Sequence, residues 1–120
     1  MNITVKATHY ELTDTTRNLV EKKLSSLEKF STHTRGPAAL ECEIEESIAI
    51  ERSGAHYRAE GNLSIGGKLF RAEATSSTLE GAVDKMRDEL AQELRHARGK
   101  ERGLLKRGGA ALKRMISRSR

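Results

Sequence analysis

Apolar residues recur along this chain with two periods. In "NITVKATH", Ile3, Val5 and Ala7 alternate with Asn2, Thr4 and Lys6, the period of a strand with one covered face. Thr13 then offers a side-chain cap with Asp14 in the first turn. Leu19, Val20, Leu24, Leu27 and Phe30 follow at helical spacing and predict a helix over residues 14–30, closed by the loop "STHTRGP". Strand alternation resumes with Leu40, Cys42 and Ile44 against Glu41, Glu43 and Glu45, giving an acidic outer face. Beyond a turn around Gly54, Tyr57, Ala59, Gly61, Leu63 and Ile65 share one side, and Arg58, Glu60, Asn62 and Ser64 the other. Gly66-Gly67 is a two-residue hairpin signal, and Phe70, Ala72 and Ala74 continue the inward row. A second helical stripe of Leu79, Val83, Met86, Leu90 and Leu94 predicts a helix over residues 79–98, with Gly99 as its stop.

The predicted order is β-α-β-β-β-α, an α+β fold with a four-stranded sheet and two helices on one face. Residues 1–99 form one domain. Residues 100–120 are a basic C-terminal extension, whose stretch 110–116 is compatible with a short helix. No internal repeat occurs.

At 120 residues and 36% hydrophobic content, the chain can bury a modest core. It has no Trp, and its aromatic residues are two Tyr and two Phe, so the core is aliphatic and base stacking has little to work with. A single cysteine excludes an intrachain disulfide and a multi-cysteine zinc site, which favours a reducing compartment. Cys42 falls at an inward strand position and reads as a small core residue. "MNITVKATHY" has no long apolar run, so neither a signal peptide nor a membrane span is expected, and the expected location is the cytoplasm.

The net charge of +5 is unevenly placed. Residues 1–94 hold 12 Lys and Arg against 16 Asp and Glu, whereas residues 95–120 hold 10 against Glu101 alone. An acidic body with a strongly basic end suggests a polyanion, nucleic acid before an anionic membrane. A solvated basic tail is the plainer alternative. On the first helix, Asn18, Lys22, Ser25, Ser26 and Lys29 gather on one flank and Glu21 and Glu28 on the other. An ordinary amphipathic helix can be sorted in the same way. On the second, Arg87, Arg95 and Arg98 follow one flank of the apolar stripe, and Lys85, Gln92, His96 and Lys100 the other. Cations late in a helix also favour its dipole without any ligand.

Catalysis finds no support. The four histidines are scattered without metal-ligand spacing, and no phosphate loop or nucleophile elbow occurs. Glu45 and Glu46 are adjacent on a strand and point to opposite faces, so they do not share a substrate. No cofactor, metal or small-molecule substrate is expected.

The segment "ITVKATHYELTDTTRNLVEKKLSSLEKF" resembles the N-terminus of the ribosome hibernation promoting factor family, also called ribosome-associated inhibitor A or ribosomal subunit interface protein. The shared pattern is a first strand, "ELT", an early helical Arg, and "KL..LEKF" at the helix end. "AVDKMRDELAQEL" is similar to the second helix of that family, and the likeness extends over about residues 2–100. It implies two roughly parallel helices that contact 16S rRNA in the mRNA and tRNA channel of the small ribosomal subunit. The implied function is a translation inhibitor that blocks decoding and preserves idle 70S ribosomes under stress. It also implies the short type, monomeric when free, which does not dimerise ribosomes alone.

Carried over by position, the rRNA-binding candidates are Arg17, Lys22 and Lys29 on the first helix, and Lys85, Arg87, Arg95 and Lys100 on the second. Glu89, Gln92 and His96 stand where relatives often carry cations, and Glu80 replaces a usual aromatic. Arg98, Lys100, Arg102, Lys106, Arg107, Lys113, Arg114, Arg118 and Arg120, at the helix end and in the extension, could compensate by following rRNA or the mRNA path. Two alternatives stay open: a free double-stranded-RNA-binding module, and a small RNA-acting enzyme anchored by its tail.

Overall fold

The computed structural model describes residues 1–31, 37–47 and 56–106. Strand β1 spans Asn2–Thr8, helix α1 Asp14–Leu24, β2 Ala38–Glu46, β3 Tyr57–Ile65, β4 Lys68–Ser76 and helix α2 Leu79–Lys106. The sheet order is β1-β2-β3-β4, with β1 parallel to β2 and both other pairings antiparallel. The predicted α+β order therefore holds. The expected helix 110–116 lies outside the described residues.

Period-2 alternation places Val5, Leu40, Cys42, Ile44, Ala59, Leu63 and Ala72 on one sheet face, all buried. The helices close that face with Val20, Leu24, Leu27 and Phe30 from the first segment and Val83, Met86, Leu90 and Leu94 from α2. Gly61 is the close-approach point: a Cβ there would lie 2.5 Å from Met86 Sδ and 2.9 Å from Leu90 Cδ1. The turn Gly66-Gly67 has φ of 57° and 78°, the left-handed pair that a tight hairpin requires.

Thr13 caps α1, its Oγ1 accepting from the Thr16 amide at 3.2 Å. The predicted helix over 14–30 is composite: after Leu24 it tightens into a 3₁₀ segment, Ser25–Phe30. Ser25 Oγ donates to the Lys22 carbonyl at 2.6 Å and Ser26 Oγ to the Lys23 carbonyl at 3.2 Å. Such local back-bonding competes with the i→i−4 ladder. The three-residue period aligns Leu24, Leu27 and Phe30, all buried. Leu19, expected on the apolar stripe, is exposed, because the stripe that meets the sheet runs from Val20 through Leu24.

Thr78 caps α2, its Oγ1 accepting from the Gly81 amide at 3.0 Å. The expected stop at Gly99 does not occur, and the helix continues to Lys106. A glycine costs a helix interior only about 1 kcal/mol, so Gly99 weakens the helix there without ending it. At 28 residues, α2 is about 42 Å long against about 30 Å for the nine-residue strands.

Candidate nucleic-acid interface

The two helices run roughly parallel and touch in order along their lengths. Lys23 Nζ meets Asp84 Oδ1 at 3.0 Å, and further on Phe30 meets Arg95 and Arg98. The α2 flank facing α1 is therefore Asp84, Arg87, Ala91, Arg95 and Arg98, the predicted Arg87–Arg95–Arg98 flank. It borders the groove between the helices.

Charge changes along that groove. At its start, Lys23, Asp84, Arg87 and Asp88 neutralise one another, with Arg87 at 3.4 Å from Asp84 and 3.0 Å from Asp88. At its far end three cations surround one buried ring: Lys29 Nζ, Arg95 Cζ and Arg98 Cζ lie 5.4, 6.0 and 5.6 Å from the Phe30 centroid. Cations gain from the negative face of an aromatic ring at such distances. Among the side chains described as far as Gly99, no carboxylate forms an ion pair with Arg95 or Arg98. The 3₁₀ geometry helps build this cluster by aligning Lys29 with Lys23 and Ser26, on the groove side. It leaves exposed Lys22 in line with Ser25 and Glu28, so the single basic flank expected of α1 is split.

Two predicted cations serve the sheet edges. Arg17 Nη1 donates to the Val5 carbonyl of edge strand β1 at 2.9 Å. Lys85 Nζ donates to the Thr75 carbonyl of the opposite edge strand, β4, at 3.4 Å. Lys85 also borders a cleft with Asp88 and Glu89. Lys100, Arg102 and Lys106 belong to the last turns of α2. Arg107, Lys113 and Arg114 lie outside the described residues. The sequence offered no sign of Lys23 as the bridge between helices, nor of Lys68 near the Phe30 cluster, because neither sits in a periodic run of cations.

The uncovered sheet face is acidic, as the β2 alternation predicted. Glu41, Glu43, Glu45, Glu60 and Glu73 outnumber Lys6, Arg58 and Arg71 there. Arg58 bridges Glu60 at 2.8 Å and Glu73 at 2.9 Å. Its hydrogen bond and charge hold the Glu73 carboxyl below the usual carboxylate range, and that hydrogen bond keeps the guanidinium firmly protonated. Cys42 is buried, and desolvation with nearby Glu43 pushes its thiol up to about 12. Among the described residues no cluster of His, Cys, Asp and Glu could hold a metal ion, and no helix is long and apolar enough to cross a membrane.

The sequence pattern of the Sigma 54 modulation protein / S30EA ribosomal protein family matches residues 3–102. The chain belongs to this family. Among solved structures, the S30EA-type fold here is similar to the Protein Y N-terminal domain of Thermus thermophilus. The TM-score is 0.67 at 27% identity, over 80% of this chain and 98% of that one. A ribosomal subunit interface protein from Coxiella burnetii shares the fold, with a TM-score of 0.63 at 16% identity over 82% and 99% of the two chains. No curated protein sequence matches the chain. Set on the S30EA fold, the Phe30 cluster occupies the end of the helix pair, on the side of the molecule away from the acidic sheet face.

Proposed function

We propose that this S30EA-family chain is a ribosome hibernation factor. It binds the small subunit of the 70S ribosome at the mRNA and tRNA decoding region, through 16S rRNA phosphates, and so blocks translation while preserving idle ribosomes. The observation that carries this reading is the gathering of Lys29, Arg95 and Arg98 around Phe30, opposite a sheet face rich in glutamate. A ring of fixed cations on one side and carboxylates on the other suits a molecule that presents one face to a polyanion.

Lys22, Lys29, Arg95 and Arg98 carry the contacts in this reading. They are joined by Lys100, Arg102 and Lys106 at the end of α2 and by Arg107, Lys113 and Arg114 beyond it. Arg17 and Lys85 are turned to backbone carbonyls of the edge strands and Arg87 to Asp84 and Asp88, so these three contribute less. Inhibition needs no chemistry: an occupied channel excludes mRNA and tRNA. Co-sedimentation with purified 70S ribosomes tests the proposal. Binding is expected at low salt, with a loss of roughly 0.7–0.9 log units of affinity per log unit of salt for each phosphate neutralised. Protein left in the supernatant at low salt, or equal affinity for an isolated RNA duplex, would overturn it.

A further inference from the structure

Beside the Phe30 cluster lies an open recess of about 100 Å³. Phe30, Phe70 and Leu94 line it with apolar surface, and Gly66, Lys68 and Arg98 lie at its polar border. It is assembled from three separate places: the end of the 3₁₀ segment, the β3–β4 hairpin, and α2 past its midpoint. Two of the chain's four aromatic residues meet here, although composition alone argued against aromatic recognition. An open recess of this size can cover one face of a planar ring and excludes a helix or a strand.

We propose that this recess receives one unstacked nucleobase of a single-stranded RNA, while its flanking phosphates rest on Arg98, Arg95 and Lys29. The inference rests on the reading of this end of the molecule as an RNA-binding surface and specifies what it binds. An apolar, aromatic-lined slot tolerates any base, since every base offers a π face. The neighbouring guanidinium groups supply the charge that a backbone phosphate needs. The half-buried Phe70 is the stacking partner, because Phe30 is only 6% exposed and is already covered. Gly66, with no side chain at the mouth, leaves room for a sugar to approach. A paired base cannot enter, so the site prefers single strands to duplex.

The experiment compares two single-stranded oligoribonucleotides against the full chain by fluorescence anisotropy. One carries every base, and the other has a run of abasic positions with the same phosphates. The base-bearing strand is expected to bind about tenfold more tightly, and Phe70→Leu to abolish that difference, with Phe70→Trp restoring it. Equal binding of the two strands by the unmodified protein would overturn the proposal, as would no binding of the base-bearing strand. A Phe70→Leu protein that melts like the unmodified chain yet keeps the full preference would also overturn it. Ribosome sedimentation is scored separately: failure there removes the hibernation reading, whereas the oligonucleotide comparison decides the recess alone.

Discussion

Lys23 and Asp84 join the two helices through a 3.0 Å ion pair whose side chains are 21% and 38% exposed. This pair removes a cation from the start of the interhelical groove and joins the helices in the register that brings Phe30 under Arg95 and Arg98. Because both groups are partly solvated, the pair contributes only about 0.5–1 kcal/mol. Lys23→Met is expected to lower unfolding stability by about that amount in urea melts, and the charge swap Lys23→Asp with Asp84→Lys to recover part of it. Equal stability of Lys23→Met and the unmodified chain would show that packing alone sets the register.

Arg17 and Arg98 were both candidates in the sequence and have different surroundings in the structure. Arg17 spends its guanidinium on the Val5 carbonyl, whereas Arg98 faces the Phe30 ring. Arg17→Ala is expected to cost about 1 kcal/mol of stability with little change in ribosome affinity. Arg98→Gln should lower stability by no more than about 0.5–1 kcal/mol, the cation–ring contact with Phe30, and reduce both ribosome affinity and the salt slope of binding, the latter by about one. Paired melting and sedimentation measurements separate the two; the reverse pattern would exchange their roles.

Gly61 is where α2 comes closest to the sheet, with Met86 and Leu90 occupying the space of its missing side chain. Gly61→Val fills that space with branched carbon and is expected to destabilise the fold by about 1–3 kcal/mol or more. Combined with Met86→Ala, which makes room, the total loss should be smaller than the sum of the two single losses. Additive losses in the double variant would mean that the two positions do not share this contact.

Since α2 continues to Lys106, truncation after residue 106 and truncation after residue 99 are different tests. The first removes Arg107, Lys113, Arg114, Arg118 and Arg120 and is expected to weaken ribosome binding and flatten its salt dependence. The second also removes Lys100, Arg102 and Lys106 and should weaken binding further. Affinity unchanged by either cut would leave the basic end as a solubility feature.

What the sequence made legible was local. Strand alternation, the Gly66-Gly67 turn and the Thr13 cap each depend on residues a few positions apart, and all are found where expected. The departures follow from effects that cross elements or compete closely. Ser25 and Ser26 tip the end of α1 into 3₁₀ geometry through their own hydroxyl bonds, a choice that the spacing of Leu24 and Leu27 left open. Gly99 read as a stop because glycine often follows a helix, yet glycine only lowers helix propensity by about 1 kcal/mol, and α2 runs through it to Lys106.

The candidate site was legible only in its broad charge. Arg17 and Lys85 could not be recognised as edge ligands before the strand order made β1 and β4 the outer strands. Phe30 and Phe70 come together from positions forty residues apart, on a 3₁₀ segment and a strand, and no periodicity connects them.

The acidic sheet face has a consequence for the approach to a partner. Packed layers of this kind are separated by about 10 Å, more than the roughly 8 Å Debye length of physiological salt. Once the cationic end has docked, the glutamates behind the sheet are largely screened from a polyanion and take little from the affinity. Before contact, in dilute salt, the two charged sides make the molecule an electric dipole that turns in the field of the partner. Its encounters are then biased toward the correct orientation, so neutralising Glu41, Glu43 and Glu45 should alter the association rate more than the dissociation rate.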